Sequence, residues 1–274
     1  MTAAAATLPR RRWTEMTTED FRDPGVADWI AVLPVAAVEQ HGPHLPLGVD
    51  AIIGDGYLAR ALELLPAELP VTVLPAQRIG TSVEHAAFPG TLSISPETVI
   101  RAWTEIGESV ARAGVRKIVL MNAHGGNTAA LDVVARSLRV RRGMLAVCCH
   151  WQRFGYPAGT FDAGELRHGI HGGEIETSLM LAFRPDLVRM DEARDFRPYT
   201  LDMERDFAHL RATSPAGFGW MSQDINETGA IGNAAAATAE AGRVSIEHGA
   251  RAFVDLLRDV ARFPMERLSR GPIA

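Results

Sequence analysis

The sequence predicts a three-layer α/β/α sandwich around a mainly parallel central sheet, and three observations predict it. Four apolar runs of strand length recur within the first 150 residues. They are continuously apolar, as strands covered on both faces are. Helical patterns separate them, and strands alternating with helices argue for parallel crossover units.

The elements follow in order. Residues 1–28 are polar and contain proline, and read as an N-terminal arm with a short amphipathic helix at 13–21. Residues 29–38 (WIAVLPVAAV) form the first strand. Asp50 opens a helical pattern through Ile52, Ile53, Tyr57, Leu58, Leu62 and Leu65. Residues 70–76 (PVTVLPA) are the second strand. Ser95-Pro96-Glu97 has cap and first-turn chemistry for a helix that Gly114 ends. Residues 116–122 (RKIVLMN) are the third strand, 127–141 the third helix and 144–149 the fourth strand. Beyond Trp151 the pattern loosens. A helix is expected over 174–183, a long loop-rich excursion over 190–232, and a final Ala-rich helix over 234–262. No repeat or linker divides the chain, so 1–274 reads as a single domain.

Composition narrows the function classes. The chain has 47% hydrophobic and 22% charged residues and a formal net charge of −5. That is globular composition with no basic surplus for phosphates, so nucleic acid is a poor partner. The longest apolar run, near residues 30–38, is interrupted by Pro34 and is too short for a membrane. The arginines at 10–12 follow the small N-terminal residues, which is unlike a secretory signal. Cys148 and Cys149, the two cysteines, are adjacent and poorly placed for a disulfide. A reducing, cytoplasmic setting is expected.

The chemistry gathers where strands end. The first strand runs into Glu39-Gln-His41-Gly-Pro-His44, with Asp50 at the mouth of the next helix. The third runs into Asn122-Ala-His124-Gly-Gly-Asn127. Ligands of open parallel sheets collect at the carboxyl ends of strands. Two carboxylates and two imidazoles there suit Zn²⁺ or Mn²⁺. A third cluster, His168-Gly-Ile-His171-Gly-Gly-Glu174-Ile-Glu176-Thr-Ser178, adds similar donors. Without cations such carboxylates repel and their pKa values rise. Taken singly, a strand-end acid is a cap and a lone histidine a hydrogen-bonded side chain; the joint pattern points to metal. His44, His85 and His168 stay open between the two readings. His150, His209 and His248 read as packing or surface residues, as do Phe218 and Trp220.

These motifs resemble those of the creatininase (creatinine amidohydrolase) family. The resemblance covers residues 33–50, Glu84-His-Ala-Ala-Phe-Pro-Gly-Thr91, Asn122–Asn127, His171–Ser178 and Thr228-Gly-Ala-Ile-Gly232, in order across roughly 30–245. It implies an α/β/α fold, hydrolysis of carbon–nitrogen bonds, and often a homohexamer. It also implies two divalent ions, Zn²⁺ or Mn²⁺ with Fe²⁺ as a further candidate. Carried over, Glu39, His41, Asp50 and His124 are ligands with Asp50 bridging, and Glu176 is the fifth, with Glu174 competing for that place or for a catalytic one. His171 matches the proton-shuttling histidine. Such a pair, about 3.5–4 Å apart, activates water and polarises a carbonyl.

The resemblance departs around the substrate. Creatininases carry a glutamate two residues after the third-strand histidine, where this chain has Gly126, and an aromatic residue where it has Gly125. Of their two substrate tryptophans, Trp151 fits the first; Arg167 stands at the second, followed by His168 in place of an acid. Ser82, just ahead of the Glu84-His85 motif, is grouped with these as a substrate-side residue. The pocket therefore reads as altered, more polar, and suited to an anionic or hydroxyl-rich small molecule. Related activities include a deformylase, a precursor-peptide peptidase and cleavage of carbon–carbon bonds in oxidised cyclic polyols. A non-catalytic metal-binding oligomeric scaffold is the reading from another class, disfavoured because a scaffold needs no proton shuttle.

Overall fold

The computed structural model describes residues 8–269. Its central sheet holds four strands: β1 (Ile30–Val35), β2 (Val71–Val73), β3 (Lys117–Asn122) and β4 (Leu145–His150). All pair in parallel, in the order β2-β1-β3-β4. Three helices follow strands, α1 (Val49–Leu64), α2 (Pro96–Arg112) and α3 (Thr128–Arg142). After β4 come α4 (Ala163–His168), α5 (Glu174–Phe183), α6 (Thr200–Asp206), α7 (Ser222–Ile225) and α8 (Ala239–Arg262).

Strand alternation sends side chains to opposite faces. Ile30, Val32, Val119 and Met121 pack under α1, α5 and α8, with Tyr57, Leu179 and Phe253. Ala31, Leu33, Ile118 and Leu120 pack under α2 and α3, with Trp103, Leu131 and Leu138. Burial on both faces is why these strands read as unbroken apolar runs. Local chemistry sets the helix ends. The Ser95 side chain accepts the Thr98 N–H at 3.3 Å with Pro96 in the first turn, and α3 stops at Gly143, which has φ of 66°.

Pro34 is tolerated inside β1 because β2 ends at Val73, opposite Val32. The Pro34 carbonyl still accepts the Gln77 N–H at 2.9 Å, and the N–H it lacks has no strand partner on that side.

Several boundaries differ from the sequence reading. The described part of the arm forms three short 3-10 turns at 13–15, 18–22 and 26–28 in place of one helix; residues 1–7 lie outside the described chain. The arm covers the edge of β2: Val73 N–H donates to the Arg11 carbonyl at 2.8 Å, and the Arg11 guanidinium caps the Pro66 carbonyl at 2.7 Å. The final helix begins at Ala239, not 234. Residues 234–236 form a separate turn, Ala237 is extended, and the Thr238 side chain caps α8 by accepting from Ala241 N–H at 3.2 Å. The excursion at 190–232 contains α6 and α7. Its β5 (Asp195–Phe196) pairs antiparallel with β6 (Gly232–Asn233).

The sheet order places the site. From β1 the chain moves outward to β2, then returns to the other side of β1 for β3. The crevice beyond the carboxyl ends of β1 and β3 is therefore a topological switch point.

Candidate metal centre

Both strand-end motifs open into that crevice. Ala123 N–H donates to the Val35 carbonyl at 3.0 Å, so the segments after β1 and β3 leave the sheet side by side. Asn127 ties them together: its amide donates to the Ala36 carbonyl at 3.1 Å and its oxygen accepts the Thr81 N–H at 3.0 Å. Asn122 shapes the next turn by accepting the His124 N–H at 3.0 Å. Asp50 lies in the first turn of α1, and Glu176 in that of α5.

Glu39, His41, Asp50, His124, His171 and Glu176 converge there, all buried. Their donor atoms form three overlapping sets within 4.8 Å: Glu39/Asp50/His124, His41/Asp50/Glu176 and Glu39/His41/His171. Asp50 belongs to the first two. Its Oδ2 lies 3.7 Å from His124 Nδ1 and its Oδ1 3.7 Å from His41 Nε2. Glu176 Oε2 is 3.8 Å from His41 Nε2.

Three of these atoms, Glu39 Oε1, His41 Nε2 and Asp50 Oδ2, are buried and have no hydrogen-bond partner. Orphaned polar atoms of this kind are rare in folded proteins and call for an explanation. Two oxygens and an imidazole nitrogen turned toward one space fit divalent cations. The rest of the Glu39 and His41 side chains is already fixed, and Glu176 is held in the same way. His41 Nδ1 donates to the Glu39 carbonyl at 3.0 Å, leaving Nε2 for the crevice. Ser82 Oγ donates to Glu39 Oε2 at 2.5 Å, and Gly172 N–H to Glu176 Oε2 at 2.6 Å. Such outer partners fix ligand orientation.

The electrostatics agree. Burial raises Asp50 well above the usual carboxylate range, and the neighbouring Glu39 charge adds to that. Glu39 does not rise as the sequence implied. Burial alone would raise it, but His124, His171 and His85 outweigh that and hold it well down. Burial lowers His124, yet Glu39, then Asp50 and Glu84, outweigh it and hold the ring at about 10. Two buried carboxylates driven apart in this way are what a cation between them would relieve.

Two imidazoles beside the donors are arranged by one residue, Gln40. His171 Nε2 donates to the Gln40 backbone carbonyl at 2.5 Å, which leaves its Nδ1 lone pair 3.7 Å from Glu39 Oε1. The Gln40 side-chain oxygen accepts the Gly42 N–H at 2.8 Å and its amide donates to the Gly229 carbonyl at 3.0 Å. That amide also donates to His85 Nδ1 at 2.7 Å, so His85 carries its proton on Nε2, 3.6 Å from Glu39 Oε1. Burial pushes both rings down, His171 to about 4 and His85 to about 2, keeping them neutral.

Other sequence-named residues lie elsewhere. Glu174 opens α5 with its side chain away from the cluster, in a separate cavity with Glu165 and His168. Two positions apart on a helix point in different directions, so Glu176 faces the metal donors and Glu174 does not. Trp151 is turned into the core, stacked on Tyr57 at 4.7 Å and edge-on to Phe253 at 5.0 Å. Arg167 pairs with Glu204, and His168 Nε2 reaches the same carboxylate at 2.9 Å. Ser82 acts on Glu39. None of Ser82, Trp151, Arg167 and His168 lines the cavity over the donor cluster.

That cavity, about 310 Å³, is walled instead by Glu84, His85, Gly125, Gly126, Gln152, Ile170, Thr213 and Trp220, beside the donors. Trp220, read from sequence as packing, is turned to it by an indole N–H bond to the Ala212 carbonyl at 2.8 Å. Glu84 and His85 stood in a quoted motif, yet nothing in their spacing shows that the turn at 83–85 aims them at strands β1 and β3. Arg167 and His168, which suggested an anionic or hydroxyl-rich ligand, pair with Glu204 away from this cavity, while Gly125 does line it.

Comparisons with known proteins identify the family. The family model for creatininase, described as creatinine amidohydrolase, matches residues 14–257. The creatinine amidohydrolase of Pseudomonas putida is 30% identical over 262 residues, covering 89% of this chain and 95% of that protein. A mycofactocin precursor peptide peptidase of Mycobacterium tuberculosis is 34% identical over 222 residues, covering 77% and 78%. A solved structure described as Creatininase Mn superposes with a TM-score of 0.71 at 27% identity, covering 91% of this chain and 98% of that one. The chain therefore belongs to the creatininase family of hydrolases.

Proposed function

We propose that this chain is a metal-dependent amidohydrolase that cleaves a carbon–nitrogen bond of a small molecule. The observation that carries it is the pair of donor triads sharing Asp50. Glu39, Asp50 and His124 would hold one divalent cation; His41, Asp50 and Glu176 would hold the other. Zn²⁺ and Mn²⁺ suit these oxygen and imidazole donors. Two such ions supply a Lewis acid for the substrate carbonyl and an activated water.

The chain's own groups do the rest. The His171 Nδ1 lone pair, held free by Gln40, would take a proton from the attacking water beside Glu39 and deliver it to the leaving nitrogen, which departs poorly unless protonated. His85 presents an N–H to the same space, as a hydrogen-bond donor to charge developing on substrate oxygen. A homo-oligomer, a hexamer by the family's habit, and a cytoplasmic setting complete the reading. The test is a screen of small amides, lactams and formamides with Zn- and Mn-loaded protein, reading amine or ammonia release. Metal-dependent release supports the assignment; no release from any of them refutes it.

A peptidase reading is favoured by one feature. A side-chain carbon at Gly125 would meet nothing within 4 Å, so this wall is open enough for a longer chain. Cleavage of short peptides in the absence of small-amide turnover would select it.

A further inference from the structure

Glu84 is the one charged side chain on the cavity wall outside the donor set. It sits in the turn at 83–85, and its carboxylate is 18% exposed, toward the cavity. Its charged neighbour is His124, with Oε1 3.5 Å from Nε2. That nitrogen already donates to the Thr81 carbonyl at 2.9 Å, so His124 is satisfied without Glu84. Among the described residues no arginine or lysine pairs with Glu84, and none lines the cavity.

The space for this carboxylate comes from Gly126. A β carbon there would overlap Glu84 Oε1 and stand 2.5 Å from His124 Nε2 and 2.8 Å from the Thr81 carbonyl. Any side chain at 126 would therefore evict Glu84. Gly125 beside it leaves the approach open. The result is a carboxylate one imidazole width from the metal donors, with vacant hydrogen-bond capacity and a free path in front of it. His124 lies beside this carboxylate but gives its Nε2 proton to the Thr81 carbonyl, so a charged donor delivered by the substrate can take up the oxygens that face the cavity.

We propose that Glu84 sets substrate specificity: the scissile amide carries an ammonium or amidinium group, a few bonds from its carbonyl, that pairs with the Glu84 carboxylate. This inference rests on the metal-dependent reading above and names the substrate class for that site. It differs from the anionic or hydroxyl-rich ligand that the sequence suggested.

Hydroxamates of matched length test it, because they chelate metal whatever their tail. Butyrohydroxamate, β-alanine hydroxamate and succinic monohydroxamate end in methyl, ammonium and carboxylate. Their dissociation constants are measured by calorimetry on Zn-loaded protein, with metal content checked alongside. The ammonium form is expected to bind about tenfold tighter than the methyl form, and the carboxylate form weakest, as a charge-assisted pair predicts. In Glu84→Gln the three should converge to within about threefold, at unchanged metal content. Equal or reversed affinities in the wild-type protein overturn the inference while leaving the metal centre standing. So does a Glu84→Gln variant that weakens all three alike, which would make Glu84 a support for His124. Failure of all three to bind the loaded wild-type protein overturns the metal reading and this inference with it.

Discussion

His85 and His171 lie stacked, ring centroids 4.1 Å apart, and turn chemically opposite nitrogens toward Glu39. His171 offers a lone pair and His85 an N–H, because Gln40 holds one ring with its backbone carbonyl and the other with its side-chain amide. Gln40, between Glu39 and His41 in the chain, thus sets which of these two rings accepts and which donates.

Replacing His171 with alanine should lower turnover about 10²–10⁴-fold, the usual worth of general acid–base help, with metal content retained. Loss of bound metal in that variant, read by elemental analysis, would show His171 to be a ligand through the Glu39/His41/His171 set instead. His85→Ala should cost about a hundredfold in kcat, as loss of a preorganised donor does. His85→Gln, which keeps an N–H, should recover part of that.

Metal should stabilise the fold, because it relieves Asp50, whose carboxylate is buried beside the Glu39 charge. At free Zn²⁺ or Mn²⁺ about 100-fold above Kd the gain is about 2.7 kcal/mol. For a chain near this size that corresponds to a rise in Tm of roughly 5–10 °C by calorimetry. Asp50→Asn, which removes the shared ligand, should abolish the rise. A metal-free protein that melts at the same temperature with and without added ion would count against both triads.

Glu165 supports the site from behind. Its carboxylate accepts the Glu174 N–H at 2.8 Å and the Asn233 N–H at 2.9 Å, joining the start of α5 to β6. Burial raises its pKa despite those bonds. Side chains at Gly169, Gly173 or Gly232 would collide with it. Glu165→Ala leaves two backbone donors unpaired and should destabilise by about 3 kcal/mol or more in chemical denaturation. The His171–Glu176 segment should loosen with it, so metal affinity should fall too. Stability within about 0.5 kcal/mol of wild type would refute this support role.

Cys148 and Cys149 should be poor nucleophiles. Burial pushes their thiols up to about 11 and about 12, and Cys148 donates to the Leu131 carbonyl. A raised thiol pKa means the protonated, unreactive form persists at neutral pH. Alkylation by iodoacetamide at pH 8 should be roughly a hundredfold slower than for an ordinary thiol, and should speed up on unfolding. Fast labelling of folded protein would contradict the burial.

The layered architecture, the parallel sheet and the donor types at its carboxyl edge are legible in the order of residues alone. Those properties are local: continuous apolarity marks a strand covered on both faces, and strand-end motifs inherit their place from topology. The sequence left Glu174 and Glu176 both open, because which of two neighbours on a helix faces inward depends on how that helix docks. Trp151 shows the same limit at the end of β4, where packing on Tyr57 and not composition fixed its direction. Glu84, His85 and Glu165 belong to segments that touch the site only through long-range contacts. Their roles come from the tertiary structure, where the turn at 83–85 and helix α4 close on residues distant in the chain.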